Sequence, residues 1–195
     1  MGFFAILLGN ILFLTSVWHY SILRAGLAVT PGPLVVAVVS GPAGRAAERV
    51  GFRTVLLVGF GFFAGGLTWY ATAIGLHPSY VTRWLPATLI TGLGIGLTFP
   101  VLSAAAVSSL DIERFGVGSA VNQTARQVGG AIGVALLVVI LGTPHSPAAA
   151  LVNFRHLWAF AATLAVLSGL VTALLKGAGR QPHTSIVPAP GEEEK

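Results

Sequence analysis

A short basic and polar stretch of ten residues, Gly44–Arg53 (GRAAERVGFR), sits between two apolar runs, about Gly26–Ala43 before it and Thr54–Gly75 after it. A turn so short between runs so apolar joins two helices that cross a membrane in opposite directions. Arg45, Arg49 and Arg53 assign the turn to the cytoplasmic face, because short cytoplasmic loops carry the Lys/Arg excess. That assignment sets the expected side of every other loop. Composition agrees: 54% of the 195 residues are hydrophobic and 9% are charged, against about 25% charged in soluble domains. The chain reads as an all-α, polytopic membrane protein.

Six spans are expected, at about 3–19, 26–43, 54–75, 84–108, 117–142 and 157–176. The first is short for the ~20 residues that cross a bilayer. The remainder, 177–195, is rich in Pro and Gly, ends in Glu192–Glu194, and is expected to be a disordered cytoplasmic tail. With both termini inside, the cytoplasmic segments hold Arg45, Arg49, Arg53, Arg114, Lys176, Arg180 and Lys195, and the external ones only Arg24, Arg83 and Arg155. Trp18, Tyr20, Trp69, Tyr70, Tyr80, Trp84 and Trp158 all fall near the external ends of spans, where such rings prefer the headgroup level.

The spans carry unusual residues. Glycines recur within the third span and at Gly92, Gly94 and Gly96 in the fourth. In a membrane, small residues let helices approach closely, so packing is their expected role; flexing around a cavity is the alternative. Pro31, Pro33 and Pro100 are candidate hinges, since a proline removes a backbone donor and clashes one turn back. In the fifth span, Asn122, Arg126, Gly129 and Gly133 share one helical face, and Gln127 adjoins it. Arg126 is expected roughly 13 Å deep at 1.5 Å per residue. An arginine there needs a partner or water, so this face is a candidate wall of a hydrated cavity, with Arg126 holding an anionic group. The alternative is a helix that starts near Ala125, with Arg126 snorkelling to the interface.

Other chemistries are disfavoured. There are no cysteines, hence no disulfide or thiolate site. The histidines fall on separate loops without ligand spacing, so no metal is expected. The basic residues are dispersed, which argues against nucleic acid. No hydrolase or protease motif appears, the Gly92–Gly96 run lies in an apolar span rather than after a soluble strand, and no cofactor is implied. None of the acids, Glu48, Asp111, Glu113 and Glu192–Glu194, falls inside a span. Proton coupling usually uses an ionisable group within the membrane, so a coupling carboxylate would have to lie outside these residues.

The turn is similar to the G-x-L-a-D-r-x-G-r-k loop of the major facilitator superfamily, matching at Gly44, Glu48 (Glu for the usual Asp), Arg49, Gly51 and Arg53. Segments YSILRAGLAVTPGP (20–33), GLGIGLTFP (92–100) and GVGSAVNQTARQVGGAIGVA (116–135) resemble the last six helices of its fourteen-span drug:proton antiporter branch, the EmrB/QacA type. The resemblance implies half of a two-half fold, built from two inverted three-helix repeats. It also implies a conformational latch at the loop, carried here by Glu48, Arg49 and Arg53. The implied function is the C-terminal half of a proton-coupled exporter of small amphipathic or drug-like molecules, in the plasma membrane. Implied partners are the bilayer, a small-molecule substrate, and a missing N-terminal half or a second copy. A stand-alone dimeric transporter half, or a non-transporting binding or regulatory subunit, is the alternative; an enzyme is not expected.

Overall fold

A computed structural model gives the fold and describes residues 2–107 and 115–174. The expected tail and the segment holding Asp111, Glu113 and Arg114 lie outside the described residues. The described chain is helical: α1 (Gly2–Ser16), α2 (Ile22–Val29), α3 (Pro31–Val50), α4 (Phe52–Ala73), a π-helical turn (Tyr80–Trp84) leading into α5 (Leu85–Val107), α6 (Phe115–Leu141) and α7 (Pro147–Leu174). Five stretches are long and apolar enough to cross a membrane: Ile22–Val50, Phe52–Ala73, Tyr80–Ala106, Gly116–Leu141 and Pro147–Leu174. The sixth apolar helix, α1, has 15 residues.

Helices outrun the apolar runs that foretold them. The ten-residue turn is helical through Val50, and the chain reverses at Gly51. Ala46, Ala47, Glu48 and Arg49 are all good helix formers, and the Gly51 N–H closes the helix on the Ala47 carbonyl at 2.9 Å. Gly51 has φ +91° and ψ 142°, a conformation that is essentially glycine's alone. At the other end of the chain α7 begins at Pro147, so Arg155 and His156 are helical rather than in a loop. The start follows a standard signal: proline in the first turn, with Ser146 Oγ accepting from the Ala149 N–H at 3.2 Å.

The helix pairs reveal a symmetry. α1 packs on α6 and α7; α5 packs on α3 and α4; α4 packs on α7. Exchanging α1, α2–α3 and α4 for α5, α6 and α7, in that order, maps this set onto itself. Successive helices joined by short turns alternate in direction, so units of three must be inverted relative to one another. The molecule is a pair of inverted three-helix repeats whose third members, α4 and α7, pack together.

Glycine builds the contact of α5 with its neighbours. A Cβ on Gly92 or Gly96 would meet α3, 2.9 Å from the Gly32 carbonyl oxygen and 3.0 Å from Val39 Cβ respectively. A Cβ on Gly94 would collide with the Phe63 backbone of α4. From α4, Gly59 and Gly66 return the approach, their added Cβ atoms falling 3.2 Å from the Gly94 carbonyl and 2.9 Å from the Thr91 nitrogen. Gly61 and Gly65 face open space. Close packing is thus what these three α5 glycines do.

The aromatic residues correct the headgroup-belt expectation. Tyr70, Trp84 and Trp158 are fully buried, and Trp18 and Tyr20 nearly so. With Phe13 and Phe154 they form one cluster: Phe13 stacks on Trp84 at 5.5 Å, Tyr70 stacks on Trp158 at 5.3 Å, and Phe13 meets Trp158 edge-on at 5.1 Å. Rings at a common level of several helices gain more from mutual packing and burial than from the interface. Trp69 stays exposed. Arginines close helix ends at that level. Arg83 and Arg155 donate to the Ala73 and Ile74 carbonyls at 3.0 and 2.9 Å, and Trp18 Nε1 donates to Gly75 at 2.9 Å. The Ala73 and Ile74 carbonyls lie at the C-terminus of α4, where carbonyls lack intrahelical donors and cations suit the negative pole of the helix.

Candidate functional site

Several concavities carry polar side chains, and two of them lie along the membrane-length helices. The first is a crevice of about 240 Å³ between α1, α3, α4 and α5, with Asn10, Pro33, Tyr70, Thr88 and Thr91 in its lining. Asn10 is nearly buried, and its Oδ1 accepts from Trp158 Nε1 at 3.0 Å. The Thr88 hydroxyl donates its one proton to the Trp84 carbonyl at 2.9 Å. The Tyr70 hydroxyl, 2.7 Å from Thr88 Oγ1, is therefore the donor in that pair. The Tyr70 hydroxyl also lies close to the Asn10 and Thr91 side chains, so these polar groups face one another. The crevice is neutral, apolar in body and sparsely hydrogen-bonding.

The second is an open concavity of about 470 Å³ formed by Phe99 of α5 and by Gln123, Arg126, Gln127, Gly130, Ala131 and Val134 of α6. α6 starts at Phe115, not near Ala125, so Arg126 lies roughly 16 Å along its axis at 1.5 Å per residue. Arg126 is half-buried. Its Nη2 donates to Ser103 Oγ and to the Phe99 carbonyl, the latter at 3.3 Å. Its guanidinium carbon stands 4.9 Å from the centre of the Phe99 ring. An arginine at mid-span costs about 2.5–3.5 kcal/mol on insertion scales; neutral hydrogen bonds and the ring face offset part of that.

The structure separates the residues proposed from sequence. Arg126 and Gln127 line the concavity, while Gly129 and Gly133 are buried and Asn122 is half-buried. The face shared by Asn122, Arg126, Gly129 and Gly133 is thus turned inward at its glycines. Pro33 reaches the crevice. Pro31 and Pro33 open α3 just after Thr30, whose backbone stays α-helical with φ −54° and ψ −38°, so α2 and α3 continue one another across missing N–H groups. Pro100 lies inside α5, next to the Phe99 carbonyl that Arg126 holds. Tyr70, Thr88 and Thr91 were missed. The threonines at i, i+3 in an apolar helix were a usable signal; the tyrosine needed the register of α4 on α5.

At the Gly51 reversal, Arg53 donates to the Ala173 carbonyl in the last turn of α7. Glu48 and Arg49 are exposed and make no ion pair among the described residues, and Gly44 is half-buried. Glu48 is the sole carboxylate among the described residues. No group of three His, Asp or Glu converges there to hold a metal.

An all-α bundle of inverted three-helix repeats, membrane-length and hollowed by concavities with a few polar groups, is a multi-pass membrane protein with the architecture of a transporter unit. The sequence profile of the Major Facilitator Superfamily matches residues 1–194, and the chain belongs to that family of membrane transporters. It is 32% identical over 129 residues to the multidrug resistance protein B homolog of Mycobacterium tuberculosis, covering 66% of this chain and 24% of that protein. It is 32% identical over 191 residues to the puromycin resistance protein pur8 of Streptomyces alboniger, covering 90% and 37%. With the multidrug export protein EmrB of Haemophilus influenzae the identity is 30% over 139 residues, covering 68% and 27%. The chain thus spans between 24% and 37% of the length of these relatives.

Proposed function

We propose that this chain works as the C-terminal six-helix half of a proton-coupled efflux transporter. It would move small amphipathic or drug-like molecules outward across the cell membrane by alternating access, with both termini in the cytoplasm. The observation that carries this reading is where the bundle lacks cover. Only 17% of the most apolar window of Ile22–Val50 and 22% of that of Gly116–Leu141 are buried, against 39% for α4. These two are the second members of the two repeats, so symmetry exposes equivalent surfaces. A second half laid along α3 and α6 would cover both. The relatives named for drug resistance support the substrate class, and the sparsely polar crevice at Asn10 and Tyr70 suits an amphipathic molecule.

Among the described residues no carboxylate lines either concavity, so the proton carrier is assigned to the other half. Arg53, bonded to the end of α7, acts as the fixed element of the latch, and Glu48 and Arg49 face outward to engage the other half. The test uses inside-out vesicles with an imposed pH gradient and labelled puromycin. This chain alone is expected to give no uptake. Co-expression with the first six helices of the Streptomyces relative is expected to give uptake that a protonophore abolishes. Gradient-driven uptake by this chain alone would overturn the half-transporter reading. If such activity came with crosslinking across α3 or α6, it would favour a second reading, a pair of identical copies, since the same uncovered surface suits either.

A further inference from the structure

We infer that the Arg126 concavity is a binding site for a small organic carboxylate carrying an apolar body. The guanidinium lies at mid-span, and the partners it has among the described residues, Ser103, the Phe99 carbonyl and the Phe99 ring, are all neutral. Both hydrogen bonds leave from Nη2, so Nη1 and Nε still hold N–H donors. Gln123 and Gln127 stand on the same wall and are exposed; their amides suit the second oxygen of a carboxylate. Phe99, Ala131 and Val134 supply an apolar floor. The cavity, about 470 Å³, falls in the range that admits drug-sized ligands. Inorganic phosphate lacks an apolar body and sheds its water reluctantly, so the mixed lining selects against it. The neutral crevice at Asn10 offers no such charge, which makes the two concavities chemically distinct.

The inference rests on the transporter reading only in treating the ligand as cargo; binding itself needs neither a second half nor a gradient. The test is equilibrium binding of radiolabelled benzoate to the full chain in zwitterionic nanodiscs. Saturable binding is expected, with unlabelled benzamide and inorganic phosphate each competing about tenfold or more weakly, the loss of roughly one charge-assisted contact. Arg126→Gln is expected to abolish binding and Arg126→Lys to weaken it, while Arg24→Gln leaves it unchanged. Circular dichroism and monodisperse elution establish that each variant is folded. Equal competition by benzamide or phosphate, measured on the unaltered chain, would overturn the proposal even if Arg126→Gln failed to fold. So would unaltered benzoate affinity in a folded Arg126→Gln variant. Benzoate binding without any puromycin flux from the joined halves would leave this site standing and remove the efflux reading instead.

Discussion

A single added methyl group distinguishes the two kinds of glycine in this molecule. At Gly94 it would enter the backbone of Phe63. Overpacking of this kind costs about 1–3 kcal/mol, so Gly94→Ala should lower the melting temperature of the detergent-solubilised chain. Gly61→Ala, which meets nothing within 4 Å, should leave it level or raise it. Trp158→Phe keeps the ring cluster but leaves Asn10 Oδ1 without its donor. An unsatisfied buried acceptor costs about 1–3 kcal/mol, so that variant should also melt lower. The sequence already marked Gly92, Gly94 and Gly96 as a packing run. It left open which neighbour each faces, because two helices flank α5 and periodicity describes only one helix at a time. The Tyr70–Thr88 bond was illegible for the same reason: it exists only once α4 and α5 are in register. Arg126 was legible because a charge in an apolar span demands an explanation whatever packs beside it.

Helix ends depend on capping chemistry more than on hydropathy. The apolar run preceding Gly44 ends at Ala43, but the helix continues through two more turns of good helix formers to Gly51. Hydropathy located the crossing, and local propensity set its length. Gly51→Ala places a side chain at φ +91°, a strain of order 1–3 kcal/mol; Gly44→Ala, inside the helix and facing nothing within 4 Å, should be neutral or stabilising. Thermal unfolding of the two variants separates a ten-residue turn from a one-residue reversal, since only the latter makes them differ. The aromatic positions pointed to one end of the bundle, yet the rings turn inward there, because position along a helix does not set direction around it. Pro100→Ala restores an N–H donor to α5. It should shift the Phe99 carbonyl relative to Arg126, seen as a changed spin-label distance between the C-terminal end of α5 and the N-terminal end of α6.

At the scale of the whole molecule, the inverted repeat explains why a unit of this size is well packed inside yet poorly covered outside. Each second member, α2–α3 or α6, packs on the first member of the other repeat, yet along its apolar window it keeps the least cover of the membrane-length stretches. The count of apolar runs foretold an all-α membrane bundle; the exchange symmetry of its contacts became visible only with the helices placed. The uncovered flanks, the open concavities and the lack of a carboxylate among the described residues lining either one are what support the half-transporter proposal. The most direct test is the mass of the native polypeptide in its source membranes, detected with an antibody against residues 181–195. The account predicts a band at about twice this chain's 20.1 kDa or more, as two six-helix halves on one polypeptide require. A native band at 20.1 kDa would contradict it.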